Sequence, residues 1–214
     1  MTEELLEKLK EKYTFTPCEA EEYEAFSLAG MDFTAKGWDA EGLGRISLMQ
    51  AEGMGGAMKM ESLIVNPLLV DAPLFNLDVI FAQGRIMFYG ELYDTLVAAE
   101  RQEDRFRKAK EAFPDLMDLP GKPAWYDDLR YGCSLTKAGA DAQKDRFEEL
   151  AGMIGNAYLD MLSEAEACDP AAKKEKADAY RDGLLANGGP ATDAFLKVWG
   201  PEKTGVFFRE VLFG

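Results

Sequence analysis

Leu5, Leu6, Leu9 and Tyr13 recur at helical spacing among Glu and Lys over residues 2–13, which predicts one amphipathic helix. The texture then changes. From Tyr23 to Tyr93 apolar and polar positions alternate in short runs: Tyr23–Leu28, Met31–Gly37, Gly44–Met49, Met58–Val65, Phe75–Phe81 and Arg85–Glu91, with Gly, Asn, Pro or Asp between them. A period of two marks strands. Links this short predict an antiparallel meander, because a parallel crossover needs about a dozen residues or more.

After Tyr93 the periodicity turns helical. Helices are expected over Thr95–Ala112, roughly Ala140–Ala167, Ala171–Leu185 and Thr192–Phe213, with a Pro-rich link at Pro114–Pro123. Strands first and helices later give an α+β class with helices covering the sheet. No repeat, low-complexity tract or long linker divides residues 1–214, so one domain is expected.

Composition narrows the chemistry. At 47% apolar, 29% charged and 11% aromatic residues, the chain is globular in character. A net charge of −15 repels phosphates and anionic head groups, which argues against nucleic acid and membrane partners. No apolar run approaches a membrane span, and the acidic first residues lack signal-peptide character, so the cytoplasm is the expected compartment. Histidine is absent, which excludes Ser-His-Asp and Cys-His catalysis and His-ligated metals. Cys18, Cys133 and Cys168 are scattered, which suits reduced thiols and gives no iron–sulfur or zinc pattern. Acid–base chemistry falls to Asp, Glu, Tyr, Cys or Lys.

Gly42-Leu-Gly44 and Gly53-Met-Gly55-Gly56 lack the third glycine and the βαβ context of a dinucleotide loop and read as turns. Arg101, Arg105, Arg107, Lys108 and Lys110 form the densest basic cluster, either a solvated face laced with ion pairs or a docking patch. Asp78 stands out in Phe75-Asn-Leu-Asp-Val-Ile-Phe81, because a carboxylate on a sandwiched apolar strand costs several kcal/mol unless paired, hydrogen-bonded or protonated. A functional and a structural role both remain open. Glu61, in Met58-Lys-Met-Glu-Ser-Leu-Ile-Val65, raises the same question, with Lys59 on the same face as a possible ion-pair partner.

The segment Leu63-Ile-Val-Asn-Pro-Leu-Leu-Val-Asp-Ala-Pro-Leu-Phe-Asn-Leu-Asp78 resembles the ferredoxin-dependent bilin reductases, in which a strand leads through Pro to a Leu-Pro-Leu/Ile-Phe-Gly-x-Asp segment. Asn76 replaces the glycine of that pattern. Leu119-Pro…Trp125 with Cys133-Ser-Leu-Thr-Lys137, and Phe195-Leu-Lys-Val-Trp-Gly200…Glu210-Val-Leu-Phe213, follow in the family's order. The resemblance implies a three-layer α/β/α sandwich with a central antiparallel sheet. It implies no bound flavin or metal, electrons from reduced ferredoxin (or flavodoxin), and a biliverdin-type linear tetrapyrrole held between sheet and C-terminal helices of a monomer. The chemistry it implies is stepwise, through tetrapyrrole radicals.

By the same resemblance, Asp78 falls on the catalytic aspartate, Lys137 on a propionate-binding arginine, and Asn187 near a loop asparagine beside the pocket, with Phe75 close to the substrate. Glu61 falls on a histidine of the phycocyanobilin-forming members and would serve as a second proton donor, while Ser47 and Met49 replace a histidine and a glutamate. The loop Ala186-Asn-Gly-Gly-Pro190 lacks the family's Lys-Thr. A physical argument supports Asp78: a proton donor needs a pKa near neutrality, and apolar burial raises a carboxyl pKa. Two further readings stand beside this one: a non-catalytic bilin carrier, and a reductase of a chlorophyll- or haem-derived linear tetrapyrrole.

Overall fold

The computed structural model describes residues 1–120, 123–189 and 191–214. Gly121 and Lys122 of the Pro-rich link, and Pro190 of the loop after Asn187, therefore lie outside the described residues. The described strands form one antiparallel sheet: β1 (Phe15–Pro17), β2 (Ala25–Leu28), β3 (Met31–Ala40), β4 (Gly44–Gly53), β5 (Met58–Pro67), β6 (Leu74–Ala82), β7 (Arg85–Tyr93), β8 (Met117–Asp118) and β9 (Leu135–Ala140). The meander runs from β3 to β7 in chain order, β9 and then β8 extend it beyond β7, and β1 and β2 both pair with β3. Each expected strand is present. β1 and β8, of 3 and 2 residues, are too short for alternation to reveal.

The helices are α1 (Thr2–Lys12), α2 (Arg107–Ala112), α3 (Lys144–Glu164), α4 (Pro170–Asn187) and α5 (Thr192–Phe207), closed by a π-helical turn at Phe208–Phe213. The helix expected over Thr95–Ala112 is shortened to α2. The cause is Asp71, whose carboxylate accepts from the backbone N–H groups of Val97, Ala98 and Ala99 at 2.8, 2.8 and 2.7 Å. Those donors are thereby drawn away from a helical ladder. The Gly200-Pro201 pair also breaks the long C-terminal helix: Gly200 takes φ 78°, which glycine tolerates, and Pro201 lacks an N–H.

Strand alternation divides the core in two. Leu63, Leu77, Val79, Phe88 and Leu92 point toward α1, α2 and α3, whereas Ala35, Met49, Ala51, Ile64 and Tyr93 point toward α4, α5 and the closing turn. The result is the expected α/β/α sandwich. On the second face the closing turn is held by sheet side chains. Arg45 donates to the Glu210 carbonyl, Ser47 Oγ to the Leu212 carbonyl at 3.1 Å, and Asn66 Nδ2 to the Phe213 carbonyl at 2.7 Å. These contacts satisfy carbonyls that a helix end leaves without intrahelical partners. Gly37 makes the approach possible, since a Cβ there would lie 2.6 Å from the Val211 carbonyl oxygen.

Candidate functional site

Asp78 lies at the middle of β6, opposite Ser62 on β5 and Tyr89 on β7. Its neighbours Leu77 and Val79 fill the first core, so its carboxyl points to the second face. The register continues this row outward, Met49 pairing with Ser62 and Tyr89 with Thr136. One step along, the row Ser47, Ile64, Asn76 and Glu91 runs parallel. α5 and the closing turn cover β2 to β5, while Asp78, Ile80, Met87 and Tyr89 stay half-exposed. Asp78 therefore sits where the helical cover ends, on a partly covered region of the sheet face that we call the cleft, with its Oδ1 withdrawn from solvent.

The Asp78 carboxyl is itself poorly solvated. Oδ2 accepts from Asn76 Nδ2 at 2.8 Å, whereas Oδ1 is buried with no hydrogen-bond partner. Burial pushes its pKa up to about 6; Ser62 and Asn76 pull it down and Glu91 adds to the rise. An acid in that range carries its proton at mildly acidic pH and can release it near neutrality, which is what a positioned proton donor requires. An unsatisfied buried oxygen is destabilising, which singles out Asp78 as a candidate functional position.

Sequence reasoning missed the second carboxylate of this face. Glu91 is buried on β7 between Arg130 Nη1, 3.0 Å from Oε1, and the Tyr93 hydroxyl, which donates to Oε2 at 2.8 Å. Arg130 also pairs with Asp127 at 2.7 Å. The signal was available: Tyr89, Glu91 and Tyr93 share strand parity with Met87, and all lie on the same face of the sheet as Asp78. For Arg130, in a loop, no periodicity existed to find it.

Around this pair stands an aromatic wall. Tyr93 packs on Tyr180 of α4 at 4.6 Å between ring centroids and on Tyr126 at 5.6 Å, with Trp125 at 5.4 Å from Tyr126. Trp125 Nε1 donates to the Gly188 carbonyl at 2.9 Å, and its ring lies so close over Gly183 of α4 that no side chain would fit there. The loop is thus pinned to α4 beside the cleft. Burial raises the phenol pKa of Tyr89 and Tyr126, with Glu91 and Asp78 adding to it, so both are neutral donors at physiological pH.

The other expected residues distribute unevenly. Met49 lies buried in the Asp78 row, and Ser47 is on the same face but occupied in holding the closing turn. Asn187 is exposed at the end of α4, its amide donating back to the Gly183 carbonyl at 3.2 Å. Glu61, Lys137 and Phe75 do not join Asp78: each has the opposite strand parity and faces the first core. Glu61 accepts from the Thr2 hydroxyl at 2.7 Å, and Lys59 pairs with Glu52 instead of with Glu61. Lys137 is 2% exposed, donates to the Leu116 carbonyl at 3.2 Å and pairs with Asp118 at 2.9 Å. Phe75 stacks on Tyr158 at 4.6 Å. Alignment by motif gave their positions along the chain but not the direction of each side chain.

Two further features lie away from this face. A cavity of about 460 Å³ opens between Asp71, Leu96, Tyr131, Met161 and Glu164, but Asp71 is already satisfied by three amides and the cavity does not reach Asp78. The basic cluster is largely neutralised within the chain, Arg101 pairing with Asp94, Arg105 with Glu164 and Arg107 with Asp104. Among the described residues no group of three Cys, Asp or Glu side chains is arranged to hold a metal ion, and no helix is long and apolar enough to cross a membrane.

The architecture, an antiparallel meander covered on both faces by helices, is that of the bilin reductase fold. A solved structure with this fold is phytochromobilin synthase from tomato, crystallised in complex with biliverdin. It matches with a TM-score of 0.73 over 96% of this chain and 78% of that one, at 11% identity. Neither protein-family profiles nor curated protein sequences give a match.

Proposed function

We propose that this protein reduces a linear tetrapyrrole, biliverdin or a close relative, with single electrons from a reduced ferredoxin or flavodoxin and with Asp78 as the proton donor. The observation that carries the reading is the poorly solvated, partly unsatisfied Asp78 carboxyl, its pKa raised to about 6, on the less covered face of a fold shared with a biliverdin-bound phytochromobilin synthase. The cleft supplies what such a ligand needs: an apolar floor from Ile80 and Met87, an aromatic wall from Trp125 and Tyr126, and a partly exposed cation, Arg130, that a propionate could meet. Each double bond reduced takes two electrons from the donor protein and two protons. Asp78 gives one proton to the one-electron-reduced ring system and is reprotonated from water, and the second proton, taken up with the second electron, comes from water, so the protein returns to its starting state.

The test is anaerobic incubation with biliverdin and reduced ferredoxin, followed in the visible spectrum. A blue-shifted product is expected, because saturating one double bond shortens the conjugated path. A spectral change on binding with no later reduction would instead make the protein a bilin carrier. No binding at all would overturn both readings.

A further inference from the structure

We propose that Glu91 is a positioning residue of this site: clamped between Arg130 and the Tyr93 hydroxyl, it keeps Asp78 in the acid form from which a proton can be given. The inference rests on the reading of Asp78 as donor and extends it to the machinery behind that residue. Glu91 does not itself reach the open floor of the cleft, since both of its oxygens are engaged at 3.0 and 2.8 Å and the residue is 7% exposed. Its place in the register, opposite Asn76 and on the same face as Asp78, puts a carboxylate beside an acid with one unpartnered oxygen. Two like charges in one poorly solvated region disfavour ionisation of the more weakly supported group. That group is Asp78, supported by the neutral Asn76 amide and Ser62 hydroxyl where Glu91 has a guanidinium and a phenol.

The groups facing Asp78 are Ser62 from β5, Asn76 on its own strand, Tyr89 and Glu91 from β7, Tyr126 from the loop and Tyr180 from α4. Arg130 and its second partner Asp127 stand behind Glu91. Of these, Glu91, Arg130 and Asp127 form the ion-paired cluster. Glu91 favours the protonated form of Asp78, and Arg130, as the ion-pair partner of Glu91, is of the opposite sign and would offset that influence. An ordinary structural ion pair would lower stability when broken but would leave no signed signature on a third group.

The experiment follows the carbonyl stretch of the protonated Asp78 carboxyl against pH in the free protein, assigned by subtracting the Asp78→Asn spectrum. With Glu91→Gln the midpoint should fall by roughly half a unit or more, and with Arg130→Gln it should rise, while Glu91→Asp and Arg130→Lys stay near the parent. The pH at half-maximal tetrapyrrole reduction should move with the midpoint. Should Glu91→Gln not fold, the Arg130→Gln arm decides alone. A midpoint unmoved by either change, or moved the same way by both, would overturn the proposal. Because the titration needs neither tetrapyrrole nor electron donor, it can succeed or fail independently of the reductase reading.

Discussion

Asn76 donates its side-chain amide to Asp78 Oδ2 at 2.8 Å from the position on β6 that faces Glu91 across β7. This donor supports the charged form of Asp78 and so opposes the effect of burial. Removing it with Asn76→Ala should raise the Asp78 midpoint further, by about half a unit to one unit, which corresponds to one modest hydrogen bond. Infrared titration of the carboxyl checks this, and a lowered midpoint would contradict it.

Asp78 should also leave a mark on stability. Its folded pKa, about 6, lies above the ordinary 3.8, so the folded state holds this proton more tightly than the unfolded chain does. Its contribution is therefore most favourable at low pH and declines as pH rises between those two values, after which the full cost of burying the charge persists. Asp78→Asn should stabilise the protein by about 2–3 kcal/mol at pH near 8 and by almost nothing near pH 4. Urea denaturation at the two pH values measures the difference. An equal effect at both would mean that the carboxyl is not desolvated.

Lys137 gives the opposite kind of test. Buried on the far side of the sheet from Asp78, with its ammonium on the Leu116 carbonyl and Asp118, it should matter to folding and not to ligand. Lys137→Ala should cost roughly 2–4 kcal/mol, since it leaves buried carbonyls without a donor. Biliverdin affinity, measured by absorbance titration, should stay within about twofold of the parent, which is under ~0.5 kcal/mol. A large loss of affinity with unchanged stability would place Lys137 in the cleft after all.

Asp71 should behave as a structural acid. Burial alone would raise its pKa, but three backbone amides and Lys173 outweigh that and hold it below the ordinary carboxylate value. The stability it contributes is present above about 3.8 and is lost as pH falls through the lower folded value. Asp71→Ala should destabilise by roughly 2–4 kcal/mol and release the amides of Val97, Ala98 and Ala99 to fast hydrogen exchange. Retained protection at those three amides would contradict the assignment.

Much of the fold was legible because it rests on local periodicity. Alternation located β2 to β7 but not β9, short links gave the meander, and the leucines of α1 marked its buried face. What failed was non-local. The Thr95–Ala112 pattern is helical by composition, yet Asp71, some 26 residues earlier than Val97, takes the amides that a helix would use. Asp78 could be singled out because a charge on an apolar strand is costly wherever the strand goes. Glu61 could be singled out in the same way and Lys137 by the resemblance alone, but their partners, Thr2 and Asp118, come from elements that only tertiary structure brings near. Glu91 was hidden for a related reason: its partner Arg130 comes from a loop 39 residues later.

The central claim is that Asp78 passes a proton to a bound tetrapyrrole. Asp78→Asn is nearly isosteric and keeps hydrogen-bonding capacity, so the variant should fold and bind biliverdin as the parent does. The decisive measurement is anaerobic single-turnover reduction of biliverdin by reduced ferredoxin, parent against Asp78→Asn, with affinity and radical signal recorded in the same samples. The expected result is unchanged affinity, a one-electron-reduced bilin radical that persists, and product formation slowed by ~10²–10⁴-fold. Turnover by Asp78→Asn within about threefold of the parent, under ~1 kcal/mol of barrier, would contradict it.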